Sequence, residues 1–451
     1  MKLVNTFAFL LLTVFVVLAV TSMWDDSANY DERIHLPSGY SYITQKDMRL
    51  NPEHPPLVKD LSALPLLFLK IKFPYQSSGW NTLLMSDVDG RTPSWQTDVA
   101  FGNDLLYYSG NDAQKMMRYG RIPIILIGIL LGFYLWRFTR ELWGDSAALI
   151  ALAMYSFSPT VLAHTRLVTT DVAAAAAFFI SFYYLYKWLK ISTYRNLFIF
   201  GIVFGLSLLT KFSTFLLLPI FGLIILIWSL VQNNNKWFWF RKYIGGFIFV
   251  LIIAYLVVGA VYAYHVWNYP IEKQAIDMEF ILSTFGFKPL VDFNIWLSGT
   301  SYLRAWGQYL LGLLMVIQRS AGGNTTYFLG KVSAEGARSY FPVVYLIKEP
   351  LAYILMIFLG IFLALKHCVR HCRERSVKYW WRDFIDLIKN NPAEMGMILI
   401  IFIYWAFSIR SRLNIGVRHI LPTIPFIYAL TARQIANWIR GGIMERIPNY
   451  N

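Results

Sequence analysis

Between residues 25 and 54 the chain carries Asp25, Asp26, Asp31, Glu32, His35, Asp47, Arg49, Glu53 and His54. Two phrases hold most of them: Asp31-Glu32-Arg33-Ile34-His35-Leu36-Pro37-Ser38-Gly39-Tyr40 and Asn51-Pro52-Glu53-His54-Pro55-Pro56-Leu57. In a protein that is 57% hydrophobic and 15% charged, acids and histidines are scarce. Gathering them just after a hydrophobic segment suits an enzyme whose substrate presents its reactive end at the lipid–water boundary.

Other groups stand at the ends of apolar runs. Asp31, Glu32 and Asp171 are carboxylates that can serve as bases or metal ligands. Arg166, Lys211, Lys348 and Arg418 are cations that can hold a phosphate, Arg through two parallel bonds and Lys as a point charge. A lipid phosphate–sugar poses such a problem: a tail in the bilayer, an anion at its surface and a sugar in water. A transferase for it needs a base for the acceptor hydroxyl and positive charge for the departing phosphate. Other readings fit the same residues. Asp31 and Glu32 suit a solvated acid pair or a helix N-cap. Arg166, Lys211 and Arg418 suit snorkelling anchors, His35 and His54 suit packing against a surface helix, and His419 suits a hydrogen bond within its own span.

The elements that must position these groups are membrane helices. The mean hydropathy of +0.46 over 451 residues is more apolar surface than a soluble chain of this size hides. Ten spans are expected, near 5–23, 122–136, 147–162, 172–186, 197–210, 215–231, 243–264, 351–365, 395–408 and 420–435. Lys2 and the uncharged run 3–24 resemble a signal peptide, but the run is long for one, without a clear small-residue cleavage site, so an uncleaved first span is expected. Two long polar segments, 24–121 and 265–345, separate the spans. Within the first, 57–73 is apolar but broken by Lys59, Asp60, Pro65, Lys70 and Lys72, the pattern of a helix lying in the interface plane. The chain then divides into a catalytic transmembrane module with the first outer loop (1–264), a second outer loop that selects donor or acceptor (265–345), and C-terminal helices with a basic loop (346–451).

Orientation follows from charge. Lys187, Lys190 and Arg195, then Lys236, Arg241 and Lys242, then the stretch 366–389 fall on one side, which the positive-inside rule makes cytoplasmic. The loop 24–121 holds twelve acids against ten Lys and Arg and faces outward, as does 265–345. The formal charge of +15 lies in short loops rather than in a stripe on a soluble domain, which argues against nucleic acid as a partner. Cys368 and Cys372 are the only cysteines, so no disulfide framework exists. With His367 and His371 they suit a zinc site, reversible acylation or, most simply, a basic juxtamembrane helix. Asn324-Thr325-Thr326 is a glycosylation sequon that matters only in a eukaryotic host.

At this point the residues match a known pattern. The chain resembles the GT-C class of integral-membrane glycosyltransferases, and within it the protein O-mannosyltransferase and aminoarabinose transferase family, which use polyprenyl- or dolichyl-phosphate sugars. The resemblance rests on Asp31-Glu32 with His35 and Gly39-Tyr40, on Asn51-Pro52-Glu53-His54-Pro55-Pro56-Leu57, on His164-Thr165-Arg166-Leu167-Val168-Thr169-Thr170-Asp171, and on Asn414-Ile415-Gly416-Val417-Arg418-His419-Ile420-Leu421-Pro422. Tyr340-Phe341-Pro342 and Lys348-Glu349-Pro350 add to it. The sequence ends soon after its Arg418-His419 span, where longer members of the family continue.

The resemblance implies an all-α, GT-C-type polytopic fold and an inverting transfer with Asp31 as base. Glu32 and Asp171 are then expected in the same cavity, with His35, His54, Arg166, Lys211, Lys348, Arg418 and His419 binding substrate and Glu53 holding a divalent metal ion. His54 stands where the aminoarabinose enzymes carry Lys, and a neutral imidazole lacks that permanent charge. The implied partners are a polyprenyl-phosphate-linked sugar, an acceptor protein, lipid or glycan, and the bilayer. The implied place is the cell membrane with the site facing the periplasm or exterior, or the endoplasmic reticulum membrane of a eukaryote. The rival is a transporter or flippase of a lipid-linked or anionic substrate, whose charges lie at the midplane between paired repeats. Here the charges gather at span ends and no internal repeat stands out.

Overall fold

Helices make up nearly all regular structure in the computed structural model, which describes residues 2–81, 94–232, 235–373, 385 and 388–444. Among the described residues the only sheet is a small antiparallel hairpin, Thr326–Phe328 with Lys331–Ser333, pairing Tyr327 with Val332. Six single helices among the described residues are long and apolar enough to cross a bilayer: Lys2–Met23, Ala113–Trp143, Asp171–Lys190, Phe212–Leu230, Lys236–His265 and Pro392–Arg410. Two bent pairs raise that number to eight. They are Asp145–Ser156 with Pro159–Thr165, bent by 60°, and Tyr340–Lys348 with Leu351–Lys366, bent by 118°.

Both bends sit at prolines. Ser158 is extended before Pro159, and its side chain accepts from the Val161 N–H to start the next helix. Glu349 is extended before Pro350 in the same way. The count of eight differs from the expected ten at two places. The run near 197–210 becomes Tyr194–Leu208, 15 residues long, too short to span alone. The run near 420–435 becomes a 3-10 turn, Val417–Thr423, followed by Ile424–Met444, whose apolar character is diluted by Thr431, Arg433 and Gln434.

Asp171–Lys190 is the central helix. Its sequence is apolar on every face and opens with five alanines, so neighbours approach from all sides, and 83% of its span is buried against 17% for the peripheral Lys2–Met23. Tyr194–Leu208 packs closely along Lys236–His265 because Gly201 and Gly205 present no side chain there; a Cβ on Gly205 would stand 3.0 Å from the Ala254 Cα. The basic loops near Lys190 and Lys236 lie together at one end, where the Tyr243 hydroxyl donates to the Leu189 carbonyl and the Lys190 ammonium faces the Trp228 ring. The side chains of 367, 368, 371 and 372 lie outside the described residues, as does the aromatic cluster 379–381.

At the other end the first polar segment folds into short helices, Glu32–Gln45, Leu57–Ala63, Ser78–Asn81 and Ser94–Asn103. Leu57–Ala63 and the 3-10 turn Leu64–Phe68 leave Leu64, Leu67 and Phe68 exposed, an apolar edge suited to the interface. Lys59 is not part of that edge: it is wholly buried. Glu32–Gln45 crosses this helix where Gly39 lies against the Lys59 carbonyl, and a Cβ at 39 would come within 2.1 Å of that oxygen. Because the obstacle is backbone, Gly39→Ala should destabilise the first polar segment by about 1–3 kcal/mol. A melting temperature of the purified protein equal to wild type would show that the two helices can part without cost. The segment 265–345 is also helical, with Ile271–Ile281, Lys288–Gly299 and Arg304–Gly322 packed around Met278, Leu282, Leu311 and Leu314.

Candidate active site

Asp31 immediately precedes Glu32–Gln45, yet its side chain makes no capping bond. It instead forms an ion pair with Arg418 from the 3-10 turn Val417–Thr423, while the Arg418 Nε donates to the Ile415 carbonyl at 3.2 Å. Gly416 begins that turn at φ 93°, a conformation open to glycine. Asp171 is the first residue of the central helix, where the helix dipole favours a carboxylate, and it accepts from the Lys211 Nζ at 2.6 Å. Lys211 comes from the turn between Tyr194–Leu208 and the 3-10 turn Phe212–Leu216.

The Asn51-Pro52-Glu53-His54 phrase is held from behind. Asn51, at φ 44°, donates its N–H and its side-chain amide to the two Asp98 oxygens, each at 3.1 Å. The Lys59 Nζ donates to the Asn51 carbonyl at 2.7 Å, to Asn51 Oδ1 at 3.0 Å and to the Tyr42 hydroxyl at 3.1 Å. Burial brings the Lys59 ammonium down to about 7 and pushes the Asp98 carboxyl up to about 7. Glu53 then pairs with Arg319 through one oxygen, and its Oε2 is buried with no hydrogen-bond partner among the described residues. Burial also raises the Glu53 carboxyl, against the pull of Arg319.

His54 and His35 meet edge to face with ring centroids 5.3 Å apart. The His35 Nδ1 lies 3.0 Å from the Val168 carbonyl and donates to it, while the His54 Nδ1 has no hydrogen-bond partner among the described residues. Burial lowers His35 to about 4, although Asp31 opposes the shift, and lowers His54 well below its ordinary value. Both rings are therefore neutral in the folded protein near pH 7. Between about 4 and 6.5 the unfolded chain takes up a proton that folded His35 refuses, so stability falls as pH drops through that window, by up to about 3 kcal/mol from this residue. His35→Gln should flatten the decline in melting temperature between pH 6.5 and 4.5; an unchanged slope would mean that His35 titrates normally.

These groups open onto one cavity of about 1350 Å³. Asp31, His35, Glu53, His54, Asp171, Lys211, Arg418 and His419 line it, together with Arg319, and apolar side chains such as Phe212, Phe280, Val316, Phe407 and Ile415 complete its walls. His419 stacks on Phe341 at 5.4 Å, and its Nδ1 is buried with no hydrogen-bond partner among the described residues. The lining draws on all three segments delimited in the sequence. A greasy wall with a few convergent charges suits an amphiphile whose anionic head must be held and turned.

Three expected members lie elsewhere. Glu32 is wholly buried and bonded to Arg121 at 2.8 and 2.7 Å, and it also accepts from the Val168 and Asn29 N–H groups. With both oxygens engaged it joins the first polar segment to the helix Ala113–Trp143 and does not line the cavity. Arg166 pairs with Asp26 and donates to the Ser22 carbonyl at 2.6 Å, because its short loop turns toward the end of Lys2–Met23. Lys348 is exposed at the end of Tyr340–Lys348, outside the cavity. Nor does the donor set at Glu53 fit a divalent ion as it stands: one oxygen engages Arg319, and among the described residues no three His, Cys, Asp or Glu side chains converge.

Arg319, Arg121, Lys59 and Asp98 escaped the reading of the sequence. Arg319 was legible in part, since 309–317 is an apolar run ending at Gln318-Arg319, the same span-end pattern that marked Lys211. Nothing in spacing distinguishes the buried Lys59 from the solvated lysines around it.

With the geometry in hand, the chain can be set beside known proteins. The family described as dolichyl-phosphate-mannose-protein mannosyltransferase matches residues 113–262, a third of the chain. No curated protein sequence matches significantly. Among solved structures, ArnT from Cupriavidus metallidurans bound to undecaprenyl phosphate aligns over 98% of this chain and 63% of its own, with 13% identity and a TM-score of 0.54. The archaeal oligosaccharyltransferase AglB from Archaeoglobus fulgidus, in complex with an inhibitory peptide and a dolichol-phosphate, aligns over 99% of this chain and 52% of its own, with 13% identity and a TM-score of 0.50. This chain thus spans less than two thirds of the length of either. The fold is GT-C, as the resemblance implied, and the protein is a multi-pass membrane protein.

Proposed function

We propose that this chain transfers a glycosyl group from a polyprenyl- or dolichyl-phosphate sugar to an acceptor hydroxyl on the extracytoplasmic side of the membrane. One observation carries the reading: carboxylates from separate stretches, Asp31, Glu53 and Asp171, share a single cavity with Lys211, Arg319 and Arg418. The cavity lies at the end of the bundle opposite the basic loops, which supports an outward-facing site.

In this reading Asp31 takes the proton of the acceptor hydroxyl as its oxygen bonds to the anomeric carbon. The bond from that carbon to the phosphate oxygen breaks on the opposite face, and its electron pair leaves on the polyprenyl phosphate, so the configuration inverts. Arg418 and Lys211 meet the developing charge, and a phosphate so neutralised departs without a dedicated acid. Asp171 orients Lys211 across their 2.6 Å contact, and Glu53 orients Arg319. Neutral His54 and His419 can hydrogen-bond sugar hydroxyls but lend no charge. Each of these steps uses the chain's own residues.

The test is incubation of the purified protein with labelled polyprenyl-phosphate sugars and a membrane extract, with identification of any labelled product. A covalent product on a protein, lipid or glycan supports the reading. Movement of labelled lipid across a reconstituted vesicle without any covalent product would replace it with transport.

A further inference from the structure

We propose that Asp31 and the donor phosphate compete for one guanidinium, so that donor binding at Arg418 is what frees the Asp31 carboxylate to act on the acceptor. This rests on the function proposed above and adds an order of events to it.

Each of the cavity's three carboxylates is ion-paired with a cation, Asp31 with Arg418, Asp171 with Lys211 and Glu53 with Arg319, and Asp171 also attracts Arg418. None of these six charges is in surplus, so an incoming phosphate must take a share of a cation already engaged. The pairs differ in what separation would cost. Asp171 and Glu53 are 5% and 3% exposed, and stripping the cation from a buried carboxylate leaves a charge without solvent or partner. Asp31 and Arg418 are 28% and 31% exposed, so both can exchange partners for water or phosphate at little cost.

The tethers favour the same exchange. The Arg418 Nε donates to the Ile415 carbonyl, which holds the guanidinium in place while its terminal nitrogen changes partner. The Asp31 backbone is fixed, its carbonyl accepting from His35 N–H at 2.8 Å, but its side chain has no capping bond to keep it. A carboxylate oxygen that accepts from a guanidinium is a poor receptor for a hydroxyl proton. The base is therefore engaged while the donor is absent and released when the donor arrives, which withholds activation from water in an empty site.

The experiment measures binding of polyprenyl phosphate to the full-length protein in detergent micelles, for wild type, Asp31→Asn, Arg418→Gln and the double variant. Asp31→Asn should bind about fivefold more tightly than wild type, the scale expected for releasing a partly exposed ion pair, and that gain should vanish in the Arg418→Gln background. Unchanged affinity in Asp31→Asn would overturn the exchange. So would a gain of equal size with and without Arg418, because that is plain relief of charge repulsion. If Asp31→Asn does not elute as a folded species, Asp31→Ser takes its place in the same cycle. Failure of the wild type to bind polyprenyl phosphate would instead strike the proposed function, and this inference with it.

Discussion

Asp31→Asn is expected to lower glycosyl transfer by about a thousandfold, within the 10²–10⁴ range of a positioned general base, while the purified protein keeps its melting temperature within a degree or two. The second half of the expectation comes from exposure. Asp31 and Arg418 both reach solvent in the cavity, and a pair of that kind contributes about 0–1 kcal/mol to stability. The amide also fills the same space. Its oxygen can still accept from Arg418, but it cannot take a proton from an acceptor. The measurement is the initial rate per folded molecule with a saturating donor, beside a thermal melt of the same preparation. Transfer near the wild-type rate would remove Asp31 from the reaction, and the base would then have to be sought among the other cavity carboxylates.

The neighbouring acid behaves in the opposite way. Glu32→Ala is expected to cost about 3–5 kcal/mol of stability, the scale of a buried ion pair robbed of one partner. Glu32 and Arg121 have no solvent exposure. Besides its two bonds to Glu32, Arg121 donates to the Met23, Asp26 and Ser27 carbonyls at 3.0, 2.9 and 2.9 Å. Removing the carboxylate leaves a guanidinium in the apolar interior with only neutral acceptors, at the junction of Lys2–Met23, Ala113–Trp143 and the loop that carries Asp31. Poor yield and a sharply lowered melting temperature are the expected readouts. Glu32→Gln, which keeps the shape, should retain more activity per folded molecule than Asp31→Asn. A Glu32→Ala protein that melts like wild type would show that water reaches Arg121. On these expectations two adjacent acids of one motif divide between the cavity and the buried interior, by which way the start of a single helix turns each side chain.

Much of this molecule was legible in its residues. Alternation of long apolar runs with polar segments placed most of the helices, because a bilayer demands about 20 apolar residues per span. The order of the Asp31, Glu53, Asp171 and Arg418 phrases carried the GT-C resemblance, and the fold agrees with it. Hydropathy misled where length failed, as at Tyr194–Leu208, since composition does not say where a turn will cut a helix.

What only tertiary structure decided is which charge meets which. Asp31 could have capped its helix, and Arg166 could have faced the phosphate. Instead Arg418 arrives at Asp31 from 387 residues away, and Arg166 is drawn off to Asp26. Local spacing cannot encode such choices, because an ion pair depends on the approach of separate helices and on the water left between them. The sequence by itself therefore determined the kind of protein and the set of chemical groups at one end of the bundle. The packing of the helices determined which of those groups remained open to a substrate and which were consumed in holding the fold.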